Sequence, residues 1–520
     1  QDFVDDLIMK KWNLDALYKG FETKEFQDSL VVLKEKIDEI NEFAANEFND
    51  TSDAVNKIIK YVKMSESLRT LMIRNFAFCS LTISTDAMNE EARKYQNKMQ
   101  VLSSKLTLPY TRFVKWVPTI ENLDEIVASD PELAEFKFYL SEIVDGAKYL
   151  LSDKEEILIS KMKQTSSSAW SQLQSQLTST LKVDYDGKEI TLSEVRNLSS
   201  DKSQEVRKKA YEAEMAAYPK VEQAIAFALN GVKGEVNTIL EMRGHESALD
   251  EAIYNSRMKR STLDALISSM RDYLPHFHKY LKRKAKLLGH DGALPYYDMF
   301  APVGNSSKEF TEEEAMEYIY TNFRTFSPDL EALARRAYDE EWIDFTPRAG
   351  KRGGAFCSNI HPLKQSRILT NFSGSFGNVI TLAHELGHAY HSYLSQKNQP
   401  YPYYGYDTFN AEVASVTTES LLMDYLLANV ENDEEKAVLL QNYIQNIGST
   451  YYRQTRFAEF ELLIHEAAEN GQILTEDFLT TSFGEMYSRY WGPSMEITEE
   501  EAYSWSRIPH FYYNYYVYAY

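Results

Sequence analysis

Between Thr23 and about Thr180 apolar residues recur three and four positions apart, as in Phe26 to Ile40, F-Q-D-S-L-V-V-L-K-E-K-I-D-E-I, and Gly and Pro are few. That spacing lines one face of a helix, so the stretch predicts a set of antiparallel helices whose Met, Leu and Tyr residues form core. Ser152 and Glu155 make a capping-box pattern ahead of E-I-L-I-S-K-M and predict a helix start. Near Val183 the period shortens: V-D-Y-D-G-K-E-I-T-L sets Asp186-Gly187 between two short β-prone runs, a hairpin signal, with a boundary expected near residue 195. Helical spacing resumes at Asp201 and runs to about Leu288. His276 and His278 on its last helix are two apart, the wrong spacing to share a face, and those two read as packing or surface residues, with His290 just beyond.

From Gly289 to Gly374 the pattern breaks into loops and short strands. Gly353 to Cys357 and Ile368 to Phe372 have the length and residue types of paired strands. A peptide can join such a sheet as an extra strand, held by main-chain hydrogen bonds whatever its side chains, which makes Gly354, Ala355 and Phe356 candidate substrate contacts. A purely structural hairpin fits the same residues.

Beyond this region Ser373, Gly374 and Ser375 offer a helix cap, and Val379, Leu382, Ala383 and Leu386 supply an apolar stripe. A second helix follows in F-N-A-E-V-A-S-V-T-T-E-S-L-L-M-D-Y-L-L-A, where Glu412, Glu419 and Asp424 are the only charges. The fold class expected is mainly α with a small sheet. At 520 residues the chain exceeds what one core usually organises. An N-terminal helical lobe over 1–195 and a second domain over 196–520 are therefore expected.

Composition narrows the class of protein. With 56 Lys plus Arg against 78 Asp plus Glu the net charge is −22, which disfavours nucleic acid and anionic membrane as partners. Cys79 and Cys357 are the only cysteines, too few for a disulfide framework or a thiolate zinc site, and a cytoplasmic protein is expected. No stretch has the length of a signal peptide core or a membrane span. The missing initiator Met suggests trimming, and the uncapped ending V-Y-A-Y suggests a native chain that continues past Tyr520.

Candidate chemistry sits on the first of the two apolar helices. Thr381 to His391 reads T-L-A-H-E-L-G-H-A-Y-H, holding three of the ten histidines. His384 and His388, four apart, stack on one helix face where their ring nitrogens can grip one zinc ion, and Glu385 reaches the metal's water rather than the metal. An amphipathic helix with surface histidines is the alternative. A catalytic zinc needs a third protein ligand. The metzincin continuation is excluded, because it would put Gly and His where His391 and Leu394 stand. A carboxylate in an otherwise apolar helix is costly unless paired or bound to metal. Glu412 and Glu419, seven apart, share a face: Glu412 is expected as the ligand and Glu419 as the acceptor that orients a ligating histidine. A solvated face is the bland reading. His391 is expected to pack or to support the site rather than ligate. The loop P-Y-P-Y-Y-G-Y-D at 400–407 either contacts substrate or packs as a connection.

Taken together, G-K-R-G-G-A-F-C, T-L-A-H-E-L-G-H-A-Y-H, E-V-A-S at Glu412 to Ser415, the ending R-I-P-H-F-Y-Y-N-Y-Y-V-Y and the opening W-N-L-D-A-L-Y resemble the oligoendopeptidase F branch of the thimet oligopeptidase family over nearly the whole chain. The resemblance implies a mostly helical clamshell around a deep channel, and zinc-dependent endopeptidase activity on short peptides. It implies one Zn2+ on His384, His388 and Glu412, and Glu385 as general base. It also implies transition-state contacts from the terminal cluster, where His510, Tyr515 and Tyr518 are candidates to donate to the oxyanion. Asn378 departs from the family's usual acidic residue before the zinc helix, and the family continues well past V-Y-A-Y. A helical dipeptidyl carboxypeptidase, which would need a cation for the substrate carboxylate, and a non-catalytic peptide-binding protein are the rival readings.

Overall fold

The computed structural model of the protein describes residues 10–304, 309–348, 350–430, 432–512 and 515. The chain forms two units, each assembled from two separate stretches: Gln1–Asp153 with Ser307–Ala428, and Lys154–Ser306 with Asn429–Tyr520. The cut expected near residue 195 falls inside the second unit. Helical periodicity shows that a segment buries a face, but not which distant segment covers it.

In the first unit the helix Lys24–Glu47 buries Phe26, Leu30, Leu33, Ile37 and Ile40, the stripe its sequence spacing predicts. It packs on the 32-residue helix Ala54–Thr85, and their shared core takes in Phe113 and Trp116 from the helix Thr107–Trp116 and Ile360 and Leu369 from a sheet. That sheet has three strands in the order Ile343–Asp344, Gln365–Leu369, Phe356–Ile360, the first pair parallel and the second antiparallel. The opening segment is tied to it: Phe345 N donates to Lys10 O at 3.0 Å and Arg367 Nε to Asn13 O at 2.8 Å.

The strands differ from the sequence expectation. Phe356, Cys357, Ile368 and Leu369 lie in both, but pairing runs toward the turn at His361–Leu363 instead of back to Gly353. Gly354 stands at φ +80°, which breaks extended backbone, and the Asn371 amide donates to the carbonyls of Arg352 and Gly354 at 3.0 and 2.9 Å. Gly354 and Ala355 therefore precede the strand, and Phe356 begins it.

The second unit is also helical, built around Phe277, Phe460, Phe483, Trp491 and Trp505. Its hairpin pairs Lys182–Tyr185 with Lys188–Thr191 through Asp186 at φ 51° and Gly187 at φ 75°, the two left-handed residues that a two-residue hairpin turn needs. A helix starts at Asp153, immediately after Ser152. Among the described residues no helix is long and apolar enough to cross a membrane.

Candidate metal centre

The helix Phe376–Asn398 begins with a capping box: Ser375 Oγ accepts from Asn378 N at 3.3 Å, and Asn378 Oδ1 accepts from Ser375 N at 3.2 Å. The same amide oxygen accepts from Ser373 N and Ser373 Oγ at 2.9 and 3.1 Å, so Asn378 satisfies the orphaned donors of the helix entry without a charge. From that start His384 and His388 share one face, with Nε2 atoms 3.2 Å apart.

The partner helix is Thr408–Asn429, and its Glu412 Oε2 lies 3.5 Å from His384 Nε2 and 3.7 Å from His388 Nε2. The three atoms form a nearly regular triangle. A tetrahedral ion with bonds of about 2.0–2.2 Å sets its ligand atoms about 3.3–3.6 Å apart, so the triangle has the size of one face of a zinc coordination shell. The Glu385 carboxylate lies within 4.8 Å of both imidazoles. His384, Glu385 and His388 form one cluster whose potential ligand atoms lie within 4.8 Å of one another, and Glu412 reaches both rings.

Supporting contacts fix these groups. His384 Nδ1 meets Glu419 Oε1 at 2.5 Å, leaving Nε2 to point at the triangle. Ser415, fully buried, donates from Oγ to Glu412 Oε2 at 2.8 Å. Thr418 Oγ1 donates to Ala383 O at 2.8 Å and pins the two helices together. Their approach depends on Gly387: a Cβ there would stand 2.5 Å from Thr418 Oγ1, 2.9 Å from Ala414 O and 3.0 Å from Ser415 Cα. Sequence reasoning passed over Gly387, Ser415 and Thr418. A glycine in a helix interior costs about 1 kcal/mol relative to Ala, and that cost was the available signal of a tight contact.

The electrostatics separate the two kinds of group. Burial holds His388 down at about 4, with His384 and His391 pushing the same way, so the ring is a neutral donor at ordinary pH. Burial opposes protonation of His384 too, but its hydrogen bond to Glu419 and the surrounding carboxylates raise it above the ordinary value. Burial lifts Glu385, 5% exposed, to about 7 against the pull of His384, and Glu412 and Glu419 add to the rise.

The other expected site residues divide between the two units. His391 stacks on Tyr406 with centroids 3.9 Å apart, outside the triangle. Phe356 is on the outer strand of the sheet, and that strand packs on the helix that carries the histidines. His510 belongs to the second unit, in the turn Pro509–Tyr512, where burial lowers its proton affinity despite nearby Glu461. Tyr515, also there, stacks on His465 at 4.9 Å beside Val232 and Val236. Tyr518 lies outside the described residues.

The chain is similar to known proteins over most of its length. Residues 197–520 match the family described as peptidase family M3, and residues 119–182 match the description oligopeptidase F. The chain is 31% identical to oligopeptidase PepF of Bacillus subtilis (strain 168), over 98% of its own length and 76% of that protein's. It is 28% identical to an oligoendopeptidase F homolog of Lactococcus lactis subsp. lactis (strain IL1403), over 98% and 85%. The crystal structure of oligoendopeptidase-F from Enterococcus faecium shares the fold, with a TM-score of 0.69 at 23% identity over 95% of this chain and 85% of that one.

Proposed function

The chain belongs to peptidase family M3 and is a metallo-oligopeptidase, and on that premise we propose that it is a zinc endopeptidase acting on internal bonds of short, unstructured peptides. In this reading His384 Nε2, His388 Nε2 and one Glu412 oxygen hold a single zinc ion, and Glu419 sets the tautomer and tilt of His384. What carries the assignment is the triangle of 3.2, 3.5 and 3.7 Å, together with a carboxylate on the far nitrogen of one ring.

A bound zinc ion supplies Lewis acidity, which brings the pKa of water from 15.7 toward about 7 and polarises a carbonyl. Glu385 accepts the water proton on its carboxylate as the scissile carbonyl is attacked, then returns it to the leaving amine. The burial that raises its proton affinity suits a group that must take up a proton and release it. The strand Phe356–Ile360 binds the substrate backbone by strand addition, with Gly354 and Ala355 at its entry. His510, Tyr515 and Tyr518 are assigned hydrogen bonds to the oxyanion on the family resemblance. A cytoplasmic location belongs to the same proposal, on the acidic balance and the two cysteines.

The test is digestion of peptides blocked at both ends, read by mass spectrometry with and without a chelator. Internal cleavage that is lost on chelation and restored by zinc is expected. Release of terminal dipeptides from free-ended substrates alone would assign a carboxypeptidase instead, and inertness with zinc present would end the proposal.

A further inference from the structure

Beyond the triangle, the first unit holds a groove of about 860 Å³. Ala134 and Phe138 form one wall; His391, Leu394, Tyr403 and Tyr406 form the other. The lining is mostly apolar, and its volume lies in the range of side-chain and small-ligand pockets. Phe138 is 53% exposed, unusual for a phenylalanine, and its ring tilts against Tyr403 with centroids 6.3 Å apart. The Tyr403 hydroxyl accepts from Tyr139 N at 3.1 Å, which holds the two walls in register.

The floor of the groove begins at His391, three residues past His388 on the same helix, and ends near Asn398. At 1.5 Å per helical residue that is roughly 4.5 to 15 Å along the axis, the span of about one to five residues of extended peptide. The phenol of Tyr406, the residue stacked on His391, lies near Ser392 on this helix and Asn359 on the outer sheet strand. One side chain therefore joins the groove, the histidine helix and the strand on which a substrate backbone would lie. Burial of His391 lowers its proton affinity, so that ring presents a neutral aromatic face to the groove, which the charged Glu135 and Lys137 also line.

We propose that this groove is a remote substrate subsite that takes an uncharged apolar or aromatic side chain of the bound peptide, one to five residues from the cleaved bond. The inference rests on the peptidase reading and adds to it a sequence preference and a minimum substrate length. Contacts made far from the reacting atoms act through the transition state, so filling the groove raises kcat/KM. A side chain exchanged between a filled and an empty apolar pocket changes kcat/KM by about 10- to 200-fold.

The experiment uses end-blocked, fluorescence-quenched peptides with one fixed cleavage site, each other position carrying Phe, Ser or Glu in turn. The unsubstituted enzyme is expected to show a Phe-to-Ser ratio in kcat/KM of about tenfold or more at one remote position. Phe138→Ser and Ala134→Glu both alter exposed positions. Each is expected to bring that ratio toward one. A ratio that persists in both variants, whatever their absolute rates, overturns the subsite. So does the absence of any remote preference in the unsubstituted enzyme. An altered oligomeric state of Phe138→Ser by size-exclusion chromatography, with the ratio intact, would give the groove to a second copy of the chain. Failure of the unsubstituted enzyme to cut any peptide would instead strike at the peptidase reading itself.

Discussion

Glu385 is the one carboxylate of the site that is held close to both imidazoles without completing the triangle, which separates the proton carrier from the metal holders. Glu385→Gln should lower kcat by about 10²- to 10⁴-fold with zinc content intact, measured by steady-state kinetics beside metal analysis. A rate equal to that of the parent would exclude the role. Glu419→Ala should weaken zinc binding by about 10- to 100-fold in a chelator competition, because His384 then loses the acceptor at 2.5 Å that orients it. Gly387→Ala puts a methyl group against backbone atoms at 2.9 and 3.0 Å, contacts that side-chain rotation cannot relieve. Overpacking of that kind costs about 1–3 kcal/mol, so a lower Tm and a looser zinc site are expected together. An unchanged Tm would show that the helices can part without consequence. The two histidines were legible in the sequence because helical spacing puts them on one face, and Glu385 because it directly follows the first of them in the His-Glu-x-x-His pattern. Gly387, Ser415 and Thr418 were not, because their work is done across the gap to another helix.

At the scale of elements, the entry to the histidine helix shows how a departure from the family pattern is accommodated. Asn378 Oδ1 collects three donors at 2.9–3.2 Å and leaves the first turn uncharged. Aspartate has the same shape, accepts from the same groups and adds negative charge at a helix N-terminus. Asn378→Asp should therefore raise stability by about 0.3–1 kcal/mol, and chemical denaturation at low and high salt will show the gain shrink as salt rises. A loss of stability would mean that a charge there is opposed by groups the capping contacts do not include. The helices, the Asp186-Gly187 hairpin and this cap were visible in residue spacing. The strand limits were not: Gly354 at φ +80° and Asn371, seventeen residues later, end the sheet together, and only the folded chain brings them into contact.

Whole-molecule burial decides the state of groups that look ordinary in the chain. Glu501 ends the run E-E-E at 499–501, which reads as a solvated face, yet it is 1% exposed. Burial raises it to about 7, against the hydrogen bond donated by Tyr487 and the pull of Arg507 and Arg456, with Glu214 adding to the rise. The folded chain thus holds this proton more tightly than the unfolded chain does. The stability it contributes is complete below the unfolded value near 4.5 and is lost as pH rises through about 7. Glu501→Gln removes that dependence. Relative to the parent it should gain on the order of 2–3 kcal/mol at pH 8 compared with pH 5, read from urea unfolding at the two values. An equal difference at both pH values would show that Glu501 is ionised throughout.

Periodicity, capping and motif spacing, all of them local, were enough to determine a mainly helical chain and a helix presenting His384, Glu385 and His388 together. An apolar helix with two carboxylates on one face was enough to nominate Glu412 and Glu419. Which stretches join into a unit was decided only when 307–428 packed with the first 153 residues, and whether Glu412 meets both imidazoles only when its helix packed on the histidine helix at Gly387 and Thr418. A face that must be buried can be read from one segment. Its cover depends on segments hundreds of residues away, and the separations of a few ångströms that a metal requires depend on how closely two successive helices pack.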